Sequence, residues 1–206
     1  GKSWKSPKGR YFTPKPLGNQ GKIAFVYPGA FNSYLGMGRN LFQLFPQLWN
    51  RTASFVDDLG EFLQAKQLYP RSQKSLSKQD LEVLETEFIS KHLSLLETGT
   101  GFAVMFTDII QHCFKINPQA AFGYSMGEST MMYSLGVRPN ASEGSQFIHS
   151  SPLFQNRLIG AKQTVSEYRG ESTAQNLWSS YVLMVSPDAV KEYLEQESRV
   201  YLTHVN

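Results

Sequence analysis

The order of hydrophobic patterns along these 206 residues predicts an α/β fold built on a parallel sheet. Two short apolar runs, residues 22–27 and 120–124, read as buried strands, and the segments between them carry helical spacing. A G-x-S-x-G motif, Gly123-Tyr124-Ser125-Met126-Gly127, closes the second run and opens a helix-compatible stretch at 126–135.

Residues 1–21 are rich in Lys, Pro and Gly, with Lys2, Lys5, Lys8, Arg10 and Lys15 carrying much of the formal net charge of +3. That run predicts a solvated basic linker rather than a nucleic-acid patch, since no DNA or RNA motif accompanies it. The first strand, 22–27, stops at Pro28-Gly29 and gives way to a loop that reaches Gly38. Leu48, Thr52, Phe55, Val56, Leu59 and Phe62 are spaced for one face of a helix. Ser77 with Asp80 opens another helix carrying Leu81, Leu84 and Phe88. Residues 102–114 are apolar nearly all round and predict a buried helix. The second strand then leads into the G-x-S-x-G turn, and Gly136 closes the helix behind it.

Beyond Ser150 the character changes. Residues 151–176 are polar and read as a long excursion with one helix. Residues 177–185 are strand-like, Ser186-Pro187-Asp188 starts a helix to about residue 197, and 200–203 begins another strand. A strand–helix–strand unit that stops at its second strand predicts a fragment cut inside a small second domain. The expected division is a basic linker at 1–21, an α/β core at 22–176 and the first β-α-β part of a small subdomain at 177–206.

A hydrophobic content of 41% with 18% charged residues indicates a soluble globular protein. No apolar run approaches the roughly 20 residues that span a bilayer, and the N-terminus lacks a signal-peptide core. The lone Cys113 points to a reducing, cytoplasmic setting, and it reads as an inert core thiol. His112 beside it has no further partner of metal-ligand spacing, so no metal site is expected.

Chemistry concentrates at Ser125. A serine on a sharp strand-to-helix turn holds its hydroxyl out at a helix N-terminus. Gly123 and Gly127 leave room for that turn and for close helix–strand packing. The pattern suits a nucleophile.

Two motifs together resemble the malonyl-CoA:acyl-carrier-protein transacylase-like acyltransferases of fatty-acid and polyketide synthases. Lys22-Ile-Ala-Phe-Val-Tyr-Pro-Gly29, with Gly36-Met37-Gly38 and Leu41-Phe42 after it, is similar to that family's opening strand and loop. Gly123-Tyr124-Ser125-Met126-Gly127-Glu128 is similar to its G-H-S-x-G-E elbow. Ser150-Ser151-Pro152-Leu153-Phe154 looks most like the acyltransferases of polyunsaturated-fatty-acid-type synthases. The resemblance implies an α/β-hydrolase-like core with a nucleophile elbow, plus the start of a ferredoxin-like α+β subdomain. It implies ping-pong acyl transfer from acyl-CoA, through acyl-Ser125, to the phosphopantetheine thiol of an acyl carrier protein, with neighbouring synthase domains as partners and no bound cofactor. Ser125 would be the nucleophile, the backbone N–H groups of Met126 and Ala30 the oxyanion hole, and Tyr124 and Ser150 would line the substrate pocket.

The chain departs from the family pattern at four places. Ala30 stands where Gln is usual, which a backbone donor tolerates. Tyr124 replaces the usual His before the nucleophile and cannot act as a base near neutral pH. Counting forward without a gap, the carboxylate-binding Arg of the family falls at Ser150, which offers one neutral hydrogen bond in place of a bidentate fork. A non-malonyl acyl group is therefore expected, unless an alignment slip brings Arg157 to that pocket. Finally, His92, His112, His149 and His204 all lie outside the context of the family's general base. His149 reads as a solvated helix-face residue and His204 as structural. Low activity is expected without the base. The alternatives are a serine esterase or thioesterase, which shares the elbow, and a non-catalytic docking domain of a megasynthase.

Overall fold

The computed structural model describes residues 1–72, 75–159, 161–170 and 179–205. Their contacts divide into two units, Gly1–Gln155 and Asn156–Asn206.

The first unit is mixed α/β. Strand β3 (Ala24–Tyr27) pairs in parallel with β4 (Ala120–Gly123), in the register Ala24 to Ala120 through Tyr27 to Gly123. Gln119 extends the pairing at its lower end: its backbone N–H donates to the Ile23 carbonyl at 2.9 Å, and its side-chain oxygen accepts the Ile23 N–H at 2.7 Å. Both predicted strands therefore form, and they are neighbours. A wider α/β-hydrolase sheet is not seen among the described residues.

The basic segment at the N-terminus is more ordered than a linker. Strands β1 (Trp4–Lys5) and β2 (Tyr11–Phe12) form an antiparallel hairpin. Gly9, at φ +78°, makes the turn, and its N–H donates to the Ser6 carbonyl at 3.0 Å. Trp4, Tyr11 and Phe12 supply the strand propensity that the charge pattern obscured.

Four short helices follow: α1 (Leu41–Leu44), α2 (Leu48–Thr52), α3 (Leu59–Phe62) and α4 (Ala65–Leu68). The single helix expected across residues 48–62 is broken. Phe55 and Val56 are both buried, but they lie outside any helix. Their backbone is drawn into tertiary bonds instead: the Ala141 N–H donates to the Phe55 carbonyl at 3.0 Å and the Asp57 N–H to Ser142 Oγ at 3.0 Å. Asp58 then caps a new helix start by accepting the Glu61 N–H at 2.9 Å.

Helix α5 (Lys78–Ser90) begins at the predicted capping box of Ser77 and Asp80. Helix α6 (His92–Asp108) starts ten residues earlier than its apolar stretch suggests, and a π-helical turn, Ile109–Cys113, extends it. The 22 residues of His92–Cys113 are long and apolar enough to cross a membrane, though more than half of their most apolar window is buried within the fold. Leu95, Phe102 and Met105 of this helix meet Phe55, Phe62, Leu68 and Phe88 in the core, whereas Phe106 and Phe114 are exposed, so the stretch expected to be buried all round is buried on one side. Cys113 is half-buried at the edge of the π turn, where Sγ accepts from the Gln47 side chain at 2.9 Å, so the expected core thiol is a boundary residue instead.

Helix α7 (Met126–Ser134) follows β4 directly, and α8 (Ser142–Ser150) packs on α6. Gln119 meets Ile23 at the lower edge of the sheet, where β4 begins, and α7 starts at the upper edge; Thr100 of α6 faces Thr130 of α7, and Thr107 and Ser134, further along each helix, both face the Tyr27 hydroxyl. The two helices therefore run in the same direction.

The second unit holds α9 (Gln163–Arg169), closed by Gly170 at φ +67°, and α10 (Pro187–Leu194). Helix α10 starts as predicted, with Ser186 accepting the Ala189 N–H and Pro187 in the first turn, and it ends at Leu194 rather than near residue 197. The flanking strands expected at 177–185 and 200–203 are not formed in the described residues. Residues 177 and 178 lie outside the described residues. From 181 to 185 the apolar side chains are exposed, with Val182 at 86% and Met184 at 94%. Strand-like composition supplies a surface that fits a sheet, but a ladder also needs a partner strand, and none among the described residues pairs with these.

Candidate active site

Gly123 and Gly127 are required by contact, not by φ. A Cβ on Gly123 would overlap the Gly127 backbone and lie 2.7 Å from the Glu128 nitrogen. A Cβ on Gly127 would overlap the Tyr27 carbonyl oxygen and lie 2.9 Å from that of Pro28. Bare backbone at both positions lets the start of α7 sit directly on the ends of β3 and β4.

Between them, Ser125 adopts φ +56°, ψ −125°, a conformation costly for any residue with a side chain. The Gly127 N–H donates to the Tyr124 carbonyl at 2.9 Å and the Glu128 N–H to the Ser125 carbonyl at 3.1 Å, which fixes the turn. Ser125 is exposed and its hydroxyl makes no hydrogen bond among the described residues. A strained serine on a strand-to-helix turn is the backbone arrangement that a nucleophile elbow uses.

The Pro28-Gly29-Ala30 loop lies alongside. A Cβ on Gly29 would stand 3.5 Å from the Tyr124 carbonyl oxygen and 3.9 Å from Ser125 Cβ. Among the described residues, no acceptor takes the N–H of Ala30 or of Met126. Tyr124 is 65% exposed at the mouth of the turn. Four of the sequence-predicted residues, Ser125, Met126, Ala30 and Tyr124, thus lie on two segments that touch.

Two further features hold the loop in place. Gly36 and Gly38 sit at φ +80° and +65°, and a Cβ on Gly38 would overlap the Phe102 ring, so the G-M-G turn lies flat on α6. On α6 itself, a Cβ on Gly99 would lie 2.8 Å from Asn32 Oδ1. Deeper in, Tyr27 is buried and its hydroxyl lies 3.0 Å from Thr107 Oγ1. Burial holds the Tyr27 phenol above its ordinary pKa, and the bond to Thr107 offsets only part of the shift.

Ser150 is the last residue of α8, exposed, and its hydroxyl donates to the Phe147 carbonyl at 3.3 Å. No hydrogen bond joins it to the elbow among the described residues. Arg157 belongs to the second unit and pairs with Glu167 at 3.1 Å.

The histidines are engaged elsewhere. His92 meets the Phe31 ring edge-on at 5.8 Å, and His112 pairs with Asp108 at 2.8 Å. His204 lies in the second unit, in residues without strand structure. His149 is not simply solvated. Its Nε2 lies 2.8 Å from Oε1 of Glu97, a buried carboxylate on α6, and the Ser145 hydroxyl donates to the same oxygen. Sequence reading missed Glu97 altogether. The one signal was the acid's place in an otherwise apolar and small-residue helix, Leu95-Leu96-Glu97-Thr98-Gly99-Thr100-Gly101.

Comparison with known proteins relates the chain to the large synthases of fatty acids and polyketides. It is 23% identical, over an alignment of 215 positions covering all of the chain, to a polyunsaturated fatty acid synthase polypeptide of Thraustochytrium sp.. Over 122 positions, 59% of the chain, it is 24% identical to the non-reducing polyketide synthase ZEA1 of Gibberella zeae. The chain spans 10% of the length of the first and 6% of the second, which supports a segment derived from a synthase. No family profile and no solved structure matches it significantly.

Proposed function

We propose that the chain is the nucleophile-bearing part of an acyltransferase domain. In this reading Ser125 accepts an acyl group from acyl-CoA and passes it to the phosphopantetheine thiol of a carrier protein. The strained Ser125 backbone at the β4–α7 junction, against the Pro28-Gly29-Ala30 loop, is the observation that carries the reading. An exposed hydroxyl on such a turn is presented for attack on a thioester.

The N–H groups of Met126 and Ala30 would stabilise the tetrahedral oxyanion, each supplying about 2.7–4 kcal/mol if they behave like known donors of this kind. The thiol of coenzyme A leaves, and the acyl-serine ester then meets the carrier thiol. Tyr124 and Ser150 would line the acyl pocket. With Ser150 where a bidentate Arg would otherwise hold a carboxylate, an uncharged acyl group such as acetyl fits better than malonyl. The second unit, with α10, would be the beginning of a small ferredoxin-like subdomain, and the rest of a cytoplasmic synthase would supply the carrier and neighbouring domains.

Intact-protein mass spectrometry after incubation with acetyl-, malonyl- and longer acyl-CoAs tests this. An acyl adduct that disappears in Ser125→Ala, and that transfers to a carrier thiol, is expected. Release of free acid regardless of carrier would instead indicate a serine esterase or thioesterase. No adduct from any acyl-CoA would favour a docking role.

A further inference from the structure

We propose that Glu97 is a specificity-determining residue that turns away acyl groups bearing a free carboxylate. The inference rests on the acyltransferase reading and deepens it, because it adds repulsion by a buried acid to the loss of an attractive Arg.

The position of Glu97 follows from the packing of α6 on α7. Thr100 Oγ1 of α6 lies 3.3 Å from Thr130 Oγ1 of α7, both buried, which sets the register between the two helices. They run in the same direction from the upper edge of the sheet, so three residues back from each partner brings Glu97 level with Gly127, in the first turn after Ser125. The Pro28–Ser33 loop reaches the same end of α6, where Asn32 faces Gly99. Glu97 therefore stands at the end of α6 that lies level with the Ser125 turn.

Its bonding leaves one carboxylate oxygen unused. Ser145 Oγ donates to Oε1, His149 Nε2 lies 2.8 Å from the same oxygen, and Oε2 receives nothing among the described residues. No Lys or Arg pairs with Glu97 among them, and the residue is only 7% exposed. A carboxylate of this kind, away from bulk water, repels a second one strongly. A malonyl group would bring one. An uncharged acyl group of similar length would not.

The test measures binding without chemistry. Ser125→Ala protein of the full 206 residues is titrated calorimetrically with butyryl-CoA and with malonyl-CoA. Butyryl-CoA is expected to bind at least about tenfold more tightly, given the cost of placing like charges together. Glu97→Gln, which keeps the acceptor for His149 and Ser145 but removes the charge, is expected to bring the two within about twofold. His149→Asn, which leaves the carboxylate less compensated, is expected to hold or widen the preference. Thermal melts accompany both variants. Equal binding of the two thioesters before any change at Glu97 overturns the proposal, whether or not the variants fold. So does an unchanged ratio in a folded Glu97→Gln protein, which would make the cluster a clasp between α8 and α6. Failure of every acyl-CoA to bind overturns the acyltransferase reading as well, which separates the two outcomes.

Discussion

A side-chain carbon on Gly127 would overlap the carbonyl oxygen of Tyr27, so the first turn of α7 rests on the bare backbone of β3. Neither partner is the flexible tip of a side chain, so the clash has no cheap escape. Gly127→Ala is expected to cost about 3 kcal/mol or more, at the upper end of overpacking changes. Gly136 is the control: it has φ +74° with nothing within 4 Å of its missing Cβ, so Gly136→Ala costs only the conformational penalty of about 1 kcal/mol. Denaturant melts of the two variants measure the difference, and equal losses would show that α7 does not sit so close.

Ser125 holds a backbone conformation suited to glycine. Ser125→Gly is expected to raise stability by about 1 kcal/mol while abolishing acyl-adduct formation, since strain at such sites is worth about 1–3 kcal/mol. Ser125→Ala should abolish the adduct without that gain. A Ser125→Gly protein no more stable than Ser125→Ala would mean that the turn relaxes in solution.

Tyr27 and Thr107 tie the upper end of β3 to α6 through a buried hydroxyl pair. Tyr27→Phe leaves the Thr107 hydroxyl without its partner and is expected to cost about 1–2 kcal/mol. For a chain of this size that is a fall of about 2–8 °C in Tm. No change in Tm would show that water replaces the bond at no cost.

Asp80 accepts from Ser77 through both the hydroxyl and the backbone N–H, and these bonds hold its carboxyl below the ordinary value of 3.8. A pKa that is lower in the folded protein than in the unfolded chain contributes stability above the unfolded value. That contribution is lost as pH falls through the folded one. The α5 N-terminus is therefore expected to loosen only below pH 3.8, and a carboxyl-detected NMR titration should place Asp80 under that value in the native protein. In Ser77→Ala it should move back up. An unchanged titration in that variant would remove the capping box as the cause.

Local chemistry explains which features were legible beforehand. The elbow at Ser125, the capping box at Ser77 and Asp80, and the start of α10 at Ser186 and Pro187 each depend on residues within four positions of one another. The helix expected over residues 48–62 failed for the opposite reason: backbone groups at Phe55 and Asp57 bond to Ala141 and Ser142, more than 80 residues away. The strand-like stretch at 179–185 has suitable side chains, but strand formation is a property of two segments, and no neighbour among the described residues pairs with it.

By itself the sequence determined the two parallel strands, the glycine-flanked serine at the end of the second, and the character of the loop that follows the first. These follow from apolar runs, from glycine where no Cβ fits, and from helix-start chemistry, all short-range. Only the tertiary structure decided which distant segments meet. It brought the Pro28-Gly29-Ala30 loop against a turn almost 100 residues later. It also joined Glu97 to His149 across 52 positions, because burying a carboxylate demands a hydrogen-bonding partner that no local pattern announces.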